Sequence, residues 1–184
     1  MAVASTRALG PYERFAIWVQ GCLKSCPGCI SPDSQPLDGG FEVDLVKLAN
    51  EIIGSTTIEG ITISGGEPYL QSAPLANLVR QIKTKKDVGV IIYTGYEFSE
   101  IKENELTKFC DIIIDGAYFE NLNDDLSLRG SSNQNVHILT ERYAEVAREL
   151  YAAPGRKVEM RVRDGLTTLV GIPDKASLKI FDNK

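Results

Sequence analysis

Four short apolar runs constrain this chain more than any other feature. They are Phe15-Ala16-Ile17-Trp18-Val19, Ile58 to Ile63, Val88 to Tyr93, and Asp111 to Asp115 with Ile112, Ile113 and Ile114 inside it. All are too short for typical helices and rich in strand-forming side chains. The last two are almost unbroken β-branched runs, the pattern of strands buried on both faces. Between the runs the apolar spacing turns helical. Val43, Leu45, Val46, Leu48, Ala49, Ile52 and Ile53 form one stripe, Leu75 to Ile82 a second, and the stretch around Glu97–Phe109 a third. Strands alternating with helices at such intervals predict repeated βαβ units around a mostly parallel sheet, an α/β fold. Ligands of such sheets gather at the carboxyl ends of the strands. Four polar or glycine-rich segments directly follow the four predicted strands: the loop after Val19, Ser64-Gly65-Gly66-Glu67, Thr94-Gly95-Tyr96 and Asp115-Gly116. They are expected to converge on one rim.

After residue 116 the rhythm changes. Asn121 to Asn135 is polar and turn-rich, Thr140 to Tyr151 reads as a helix, and Lys157 to Arg163 alternates cleanly. Asp164-Gly165 is a hairpin turn signal and Leu166 to Ile172 supplies the second strand. At 184 residues, with 43% hydrophobic residues, the chain is long enough for one globular domain with a substantial core. The expected organisation is a single domain over 1–184, with a core of about 13–139 and a helix-and-hairpin extension over 140–184. A net charge of −5 argues against a nucleic-acid surface. No apolar run is long enough for a membrane span, and residues 1–12 carry no apolar core like that of a secretory signal.

The loop after the first strand carries Cys22, Cys26 and Cys29, spaced C-x3-C-x2-C, and the fourth cysteine, Cys110, lies far away in an apolar stretch. Clustered thiols in so short a segment suit a reducing cytoplasm rather than a disulfide framework. Structural zinc is normally closed by four ligands, and a zinc site borrowing a histidine would have to recruit His137, the sole histidine, over a hundred residues on. Soft thiolates suit iron–sulfur clusters. Three of them holding a [4Fe–4S] cluster leave one iron open, where a substrate or cofactor can bind. Gly21, Pro27 and Gly28 suit a tight loop around a bulky group. Cys110 reads as a buried thiol and His137 as a packed strand residue.

The triplet, with Ile63-Ser64-Gly65-Gly66-Glu67-Pro68 after it, resembles the radical S-adenosylmethionine (SAM) enzymes. Tyr93-Thr94-Gly95-Tyr96, Asp115-Gly116 and Arg129-Gly130-Ser131-Ser132-Asn133-Gln134 follow in the order found in the small activating enzymes of anaerobic ribonucleotide reductase. The resemblance covers roughly residues 13 to 139. It implies a partial (β/α) barrel, to which the hairpin is an extension. It implies one [4Fe–4S] cluster on Cys22, Cys26 and Cys29, with SAM's methionine part on the open iron. It also implies a SAM site including Ser64, Gly65, Gly66, Glu67, Thr94, Asp115 and Arg129. Glu67 departs from the activases, which often carry Asp there. The reaction implied is reductive cleavage of SAM to a 5′-deoxyadenosyl radical, driven by an external one-electron reductant. The protein orients this chemistry and excludes side reactions.

With no evident separate substrate domain, the substrate is expected to be a polypeptide. The leading expectation is a glycyl-radical activase, which takes a hydrogen from a backbone glycine of a partner enzyme. The alternative is a radical SAM modifier of a ribosomally made precursor peptide, of epimerase, crosslinking or splicease type. There the terminal hairpin would dock a peptide, or a small peptide-recognition protein, by strand addition. A non-enzymatic metal-binding module would require the Gly-Gly-Glu segment to bind no SAM.

Overall fold

The computed structural model describes residues 2–152, 155–163 and 166–174. It contains a six-stranded sheet and a separate two-stranded hairpin. The six strands are β1 (Ala2–Thr6), β2 (Arg14–Val19), β3 (Gly60–Gly65), β4 (Gly89–Tyr93), β5 (Ile112–Asp115) and β6 (Asn135–Ile138). They lie in sequence order across the sheet. The β2–β3, β3–β4 and β4–β5 pairs are parallel, and the two edge pairs are antiparallel. The parallel centre was expected; the antiparallel edges were not read from the sequence.

Helix α1 (Leu45–Gly54) starts at Asp44, whose side chain accepts from the backbone N–H groups of Val46 and Lys47. This satisfies donors that the first turn leaves open. Helix α2 (Ser72–Lys83) links β3 to β4. The third stretch departs from the continuous helix expected over 97–109. It is a short helix α3 (Phe98–Ile101) followed by a 3-10 turn at Leu106–Phe109. Asn104 is the cause: its side-chain oxygen accepts from Leu106 N–H and restarts the chain in a new direction,.

The pleat sorts the strand residues into two layers. Phe15, Ile17, Val19, Ile61, Ile63, Val90, Ile92 and Ile113 join Leu48, Ile52, Leu78 and Ile82 of the first two helices in the main core. Ile91, Ile112 and Ile114 point the other way, and Leu128, Tyr143 and Ala147 cover them. Helix α4 (Ala144–Ala152) carries the last of these, after a 3-10 turn at Glu141–Tyr143. Strands β7 (Val158–Arg163) and β8 (Leu166–Gly171) form the expected antiparallel hairpin; its turn, at Asp164-Gly165, lies outside the described residues. Val170 of β8 is buried against Leu9 and Ala16 on this same second layer. The extension is thus the cover of the sheet's second face.

At the amino end of the strands lies a charged residue that the sequence pattern does not mark. Arg14 is fully buried. Its guanidinium donates to Thr62 Oγ1, to the carbonyls of Pro11, Ile61 and Gly89, and to the Tyr143 hydroxyl. Glu59 lies 3.4 Å from it and is shared with Arg142. Glycine at positions 60 and 89 makes the space: a Cβ on Gly60 would stand 2.7 Å from the guanidinium, and one on Gly89 would overlap Tyr143. No helix among the described residues is long and apolar enough to cross a membrane.

Candidate active site

The carboxyl ends of β2, β3, β4 and β5 open into one cavity, and the expected rim is there. Cys22, Cys26, Cys29, Ser64, Gly65, Gly66, Glu67, Thr94, Gly95 and Gly116 all line it. The cysteine loop is fastened to the β3 loop by backbone hydrogen bonds. Gly66 N–H donates to Val19 O at 2.8 Å, and Glu67 N–H to Gly21 O at 2.7 Å. The loop's own return is tied by Gly21 N–H to Ser34 O and Cys22 N–H to Gln35 O. Close approach of these backbones explains the two glycines. A Cβ on Gly66 would sit 2.3 Å from Gly21 O and 2.6 Å from Ser34 O, and one on Gly65 2.5 Å from Val19 N. The glycines serve protein–protein backbone packing as well as any approach to a ligand.

Cys22, Cys26 and Cys29 are free thiols, all partly exposed. Burial raises the pKa of Cys26, a backbone hydrogen bond from Tyr118 opposes this, and the charges of Cys29 and Cys22 raise it further. Among the described residues no three His, Cys, Asp or Glu side chains converge on one point as a single metal ion requires. All three thiols line one cavity, and thiolates are the ligands that iron–sulfur clusters take. The histidine that a zinc site would need is elsewhere. His137 lies on the helix side of the sheet, stacked on Phe98 at 4.4 Å and 2.9 Å from Asp115.

Glu67 is 1% exposed and holds the rim together. Its Oε1 accepts from Tyr69 N–H at 3.0 Å and from the Thr94 hydroxyl at 2.7 Å, and its Oε2 accepts from Gly95 N–H at 2.8 Å. It therefore ties the β3 loop to the β4 loop. Burial raises its pKa, while these hydrogen bonds and the charge of Lys24 pull the other way. Thr94 also accepts from Tyr96 N–H.

Two expected residues do not line the cavity. Asp115 faces the helix layer, where its oxygens accept from Phe98 N–H and from the backbone and side chain of Asn135. Burial pushes its carboxyl up, but those hydrogen bonds and His137 outweigh burial and hold it below the usual range. Arg129 directs its guanidinium at Asp124, with Nε 3.0 Å from Oδ2. Its neighbours Gly130 and Gln134 do reach the cavity wall. Gln134 clips the loop by accepting from Gly130 N–H and donating to Gly116 O.

Several wall residues escaped the sequence reading. Lys24, inside the cysteine loop, places its ammonium 4.1 Å from the centre of the Tyr96 ring, a cation–π distance. A lone cation between two of the cysteines was the available signal. Leu9, Trp18, Tyr118 and Ile172 also line the cavity, and only their fold neighbours bring them there.

Residues 8–137 match the family described as 4Fe-4S single cluster domain. The chain is 36% identical over 132 residues to the anaerobic ribonucleoside-triphosphate reductase-activating protein of Enterobacteria phage T4, covering 69% of this chain and 85% of that protein. It is 33% identical over 146 residues to the protein of the same name in Escherichia coli (strain K12), covering 71% and 91%. The pyruvate formate-lyase-activating enzyme of Staphylococcus aureus (strain USA300) is 29% identical over 141 residues, covering 71% of this chain and 55% of that enzyme. With the cysteine loop, the Gly-Gly-Glu segment and these relatives in agreement, the chain belongs to the 4Fe-4S single cluster family of radical SAM activating enzymes.

Proposed function

We propose that this chain is a glycyl-radical activase, acting on a backbone glycine of a partner enzyme. The observation that carries the reading is the meeting of three free thiols with the Ser64–Glu67 and Thr94–Gly95 loops around one cavity, in a chain related to activating enzymes. When bound, one [4Fe–4S] cluster and SAM supply one-electron cleavage of a carbon–sulfur bond and the hydrogen abstraction that follows.

The chain's own residues then have separate tasks. Cys22, Cys26 and Cys29 would hold the cluster through three thiolates, which leaves a coordination position open for SAM. The backbone edge at Ser64, Gly65 and Gly66, which lines the cavity, would receive the amino group of SAM's methionine part. Glu67 adds negative charge behind that edge and, with Thr94, fixes its position. Lys24, the one cation on this wall among the described residues, is assigned to the methionine carboxylate. Asp115 and Arg129 act through the loops they order, the former at Gly116 and the latter at Gly130. Strands in sequence order, with α1 and α2 packed on one face, support an open partial (β/α) barrel, and residues 1–184 are taken as one domain. The clustered free thiols support a reducing cytoplasmic setting, where the protein needs a one-electron donor.

The test is anaerobic reconstitution, reduction in the presence of SAM, and measurement of 5′-deoxyadenosine and of a glycyl radical signal on a candidate partner. Wild-type protein should give both, and replacement of Cys22, Cys26 and Cys29 together by Ala should abolish cluster absorption and both products. A mass change in a short precursor peptide, with no glycyl radical, would select the peptide-modifying reaction instead.

A further inference from the structure

The family match ends at residue 137, yet part of the cavity wall lies beyond it. Gly171 and Ile172, at the end of β8, line the cavity beside Leu9, Trp18 and Tyr93. The segments 155–163 and 166–173 reach this position held at both sides. On one side Arg156, its side chain 2% exposed, donates to the carbonyls of Leu126, Arg129, Gly130 and Pro173. Asp124 and Asp125 each lie 3.8 Å from it. On the other side Glu159 accepts from Arg7 N–H, and Arg161 donates to Ser5 O at the end of β1. Between these clasps Val170 is buried on Leu9 and Ala16. Gly171 has φ +122°, and a Cβ there would stand 2.4 Å from Lys157 O, so the strap lies flat only with glycine at that position. The segment thus crosses the sheet's second face from the β1 edge to the loop preceding β6.

We propose that residues 155–163 and 166–173 are a strap that shuts the side of the active-site chamber and positions the target glycine there, with Arg156 its clasp and Ile172 its wall contact. The proposal rests on the activase reading. Radical chemistry on a backbone carbon requires a chamber that excludes water and competing hydrogen donors. Leu9, Trp18 and Ile172 give that wall an apolar surface, and a glycine-bearing loop, having no side chain at the reacting carbon, fits against it. When the strap opens, 5′-deoxyadenosine forms with hydrogen taken from something other than the glycine.

Trp18 is the chain's one tryptophan and reports on this wall directly. The experiment uses the cluster-loaded full chain with Arg156→Met and Ile172→Ser, measuring acrylamide quenching of Trp18 and the ratio of 5′-deoxyadenosine to glycyl radical. Both should rise severalfold in each variant. Ile172→Ser leaves every Arg156 hydrogen bond in place, so it decides the matter if Arg156→Met does not fold. Unchanged quenching in Ile172→Ser overturns the proposal, as does increased quenching with an unchanged ratio. If wild-type protein with a full cluster yields no 5′-deoxyadenosine, the activase reading fails. The quenching alone then decides whether the strap shuts the chamber.

Discussion

Replacing Glu67 by Gln tests the claim that this residue is the strut of the rim. The carboxylate accepts three hydrogen bonds, from Tyr69 N–H, the Thr94 hydroxyl and Gly95 N–H, and it is almost wholly buried. Gln offers one oxygen and one NH2 group. The better of its two orientations keeps the oxygen toward Tyr69 and Thr94 and sets the NH2 against Gly95 N–H, donor to donor. Losing one charge-assisted bond costs about 1.5–3 kcal/mol, and the part-buried Gly95 N–H left without an acceptor adds up to about 1 kcal/mol,. Relief of the buried charge returns part of this, since burial raises the Glu67 pKa,. A net loss of about 2 kcal/mol follows. Urea unfolding of the purified chain measures it, and amide exchange at Gly95 should accelerate alongside. A Gln variant with wild-type midpoint and wild-type exchange at Gly95 would refute the strut.

Other consequences can be checked in the same way. Arg14→Met leaves the buried carbonyls of Pro11, Ile61 and Gly89 without this donor, at about 1 kcal/mol or more each. Glu59 keeps Arg142, so the unfolding free energy from urea titration should fall by about 3 kcal/mol in total; an unchanged value would contradict the assigned network. Gly66→Ala forces a methyl onto Gly21 O and Ser34 O, and overpacking of this kind costs about 1–3 kcal/mol. Because those atoms belong to the cysteine loop, iron content after reconstitution should fall with stability. For Asp115 and Asp124, burial is outweighed, at Asp124 by its hydrogen bonds from Arg129 and Leu126 N–H, so both are held below the ordinary range. Their stabilisation is complete above the unfolded carboxylate range of about 4 and disappears as pH falls through the depressed folded values. Asp115→Asn should therefore lower stability at neutral pH and flatten its decline in acid, measured as urea midpoints against pH. Glu67 acts oppositely, since its folded pKa is raised, and stability declines as pH rises through its window.

The central parallel strands and the rim were legible because each depends on a local pattern. Ile112-Ile113-Ile114 declares a buried strand, and Cys22, Cys26 and Cys29 sit where that strand logic puts a ligand loop. The edge strands were not legible: Ala2–Thr6 and Asn135–Ile138 are short and mixed, and pairing alone makes them strands. Arg14 was invisible because a charged residue in a strand normally marks a solvated face, and only Gly60, Gly89 and Tyr143 together make a buried place for it. Asp115 and Arg129 followed the right segments, yet their side chains turn away, Asp115 to the helix layer and Arg129 to Asp124. Ile172 and Trp18 line one cavity from positions more than a hundred and fifty residues apart, a juxtaposition that no spacing rule encodes.

The most direct measurement uses a glycyl-radical partner enzyme whose glycines carry deuterium at the α-carbon. After anaerobic turnover with the reconstituted protein and SAM, mass spectrometry of the 5′-deoxyadenosine reports where its hydrogen came from. Deuterium in that product, together with a glycyl radical signal on the partner, is the predicted result. Deuterium-free 5′-deoxyadenosine with no radical on the partner would contradict the activase account.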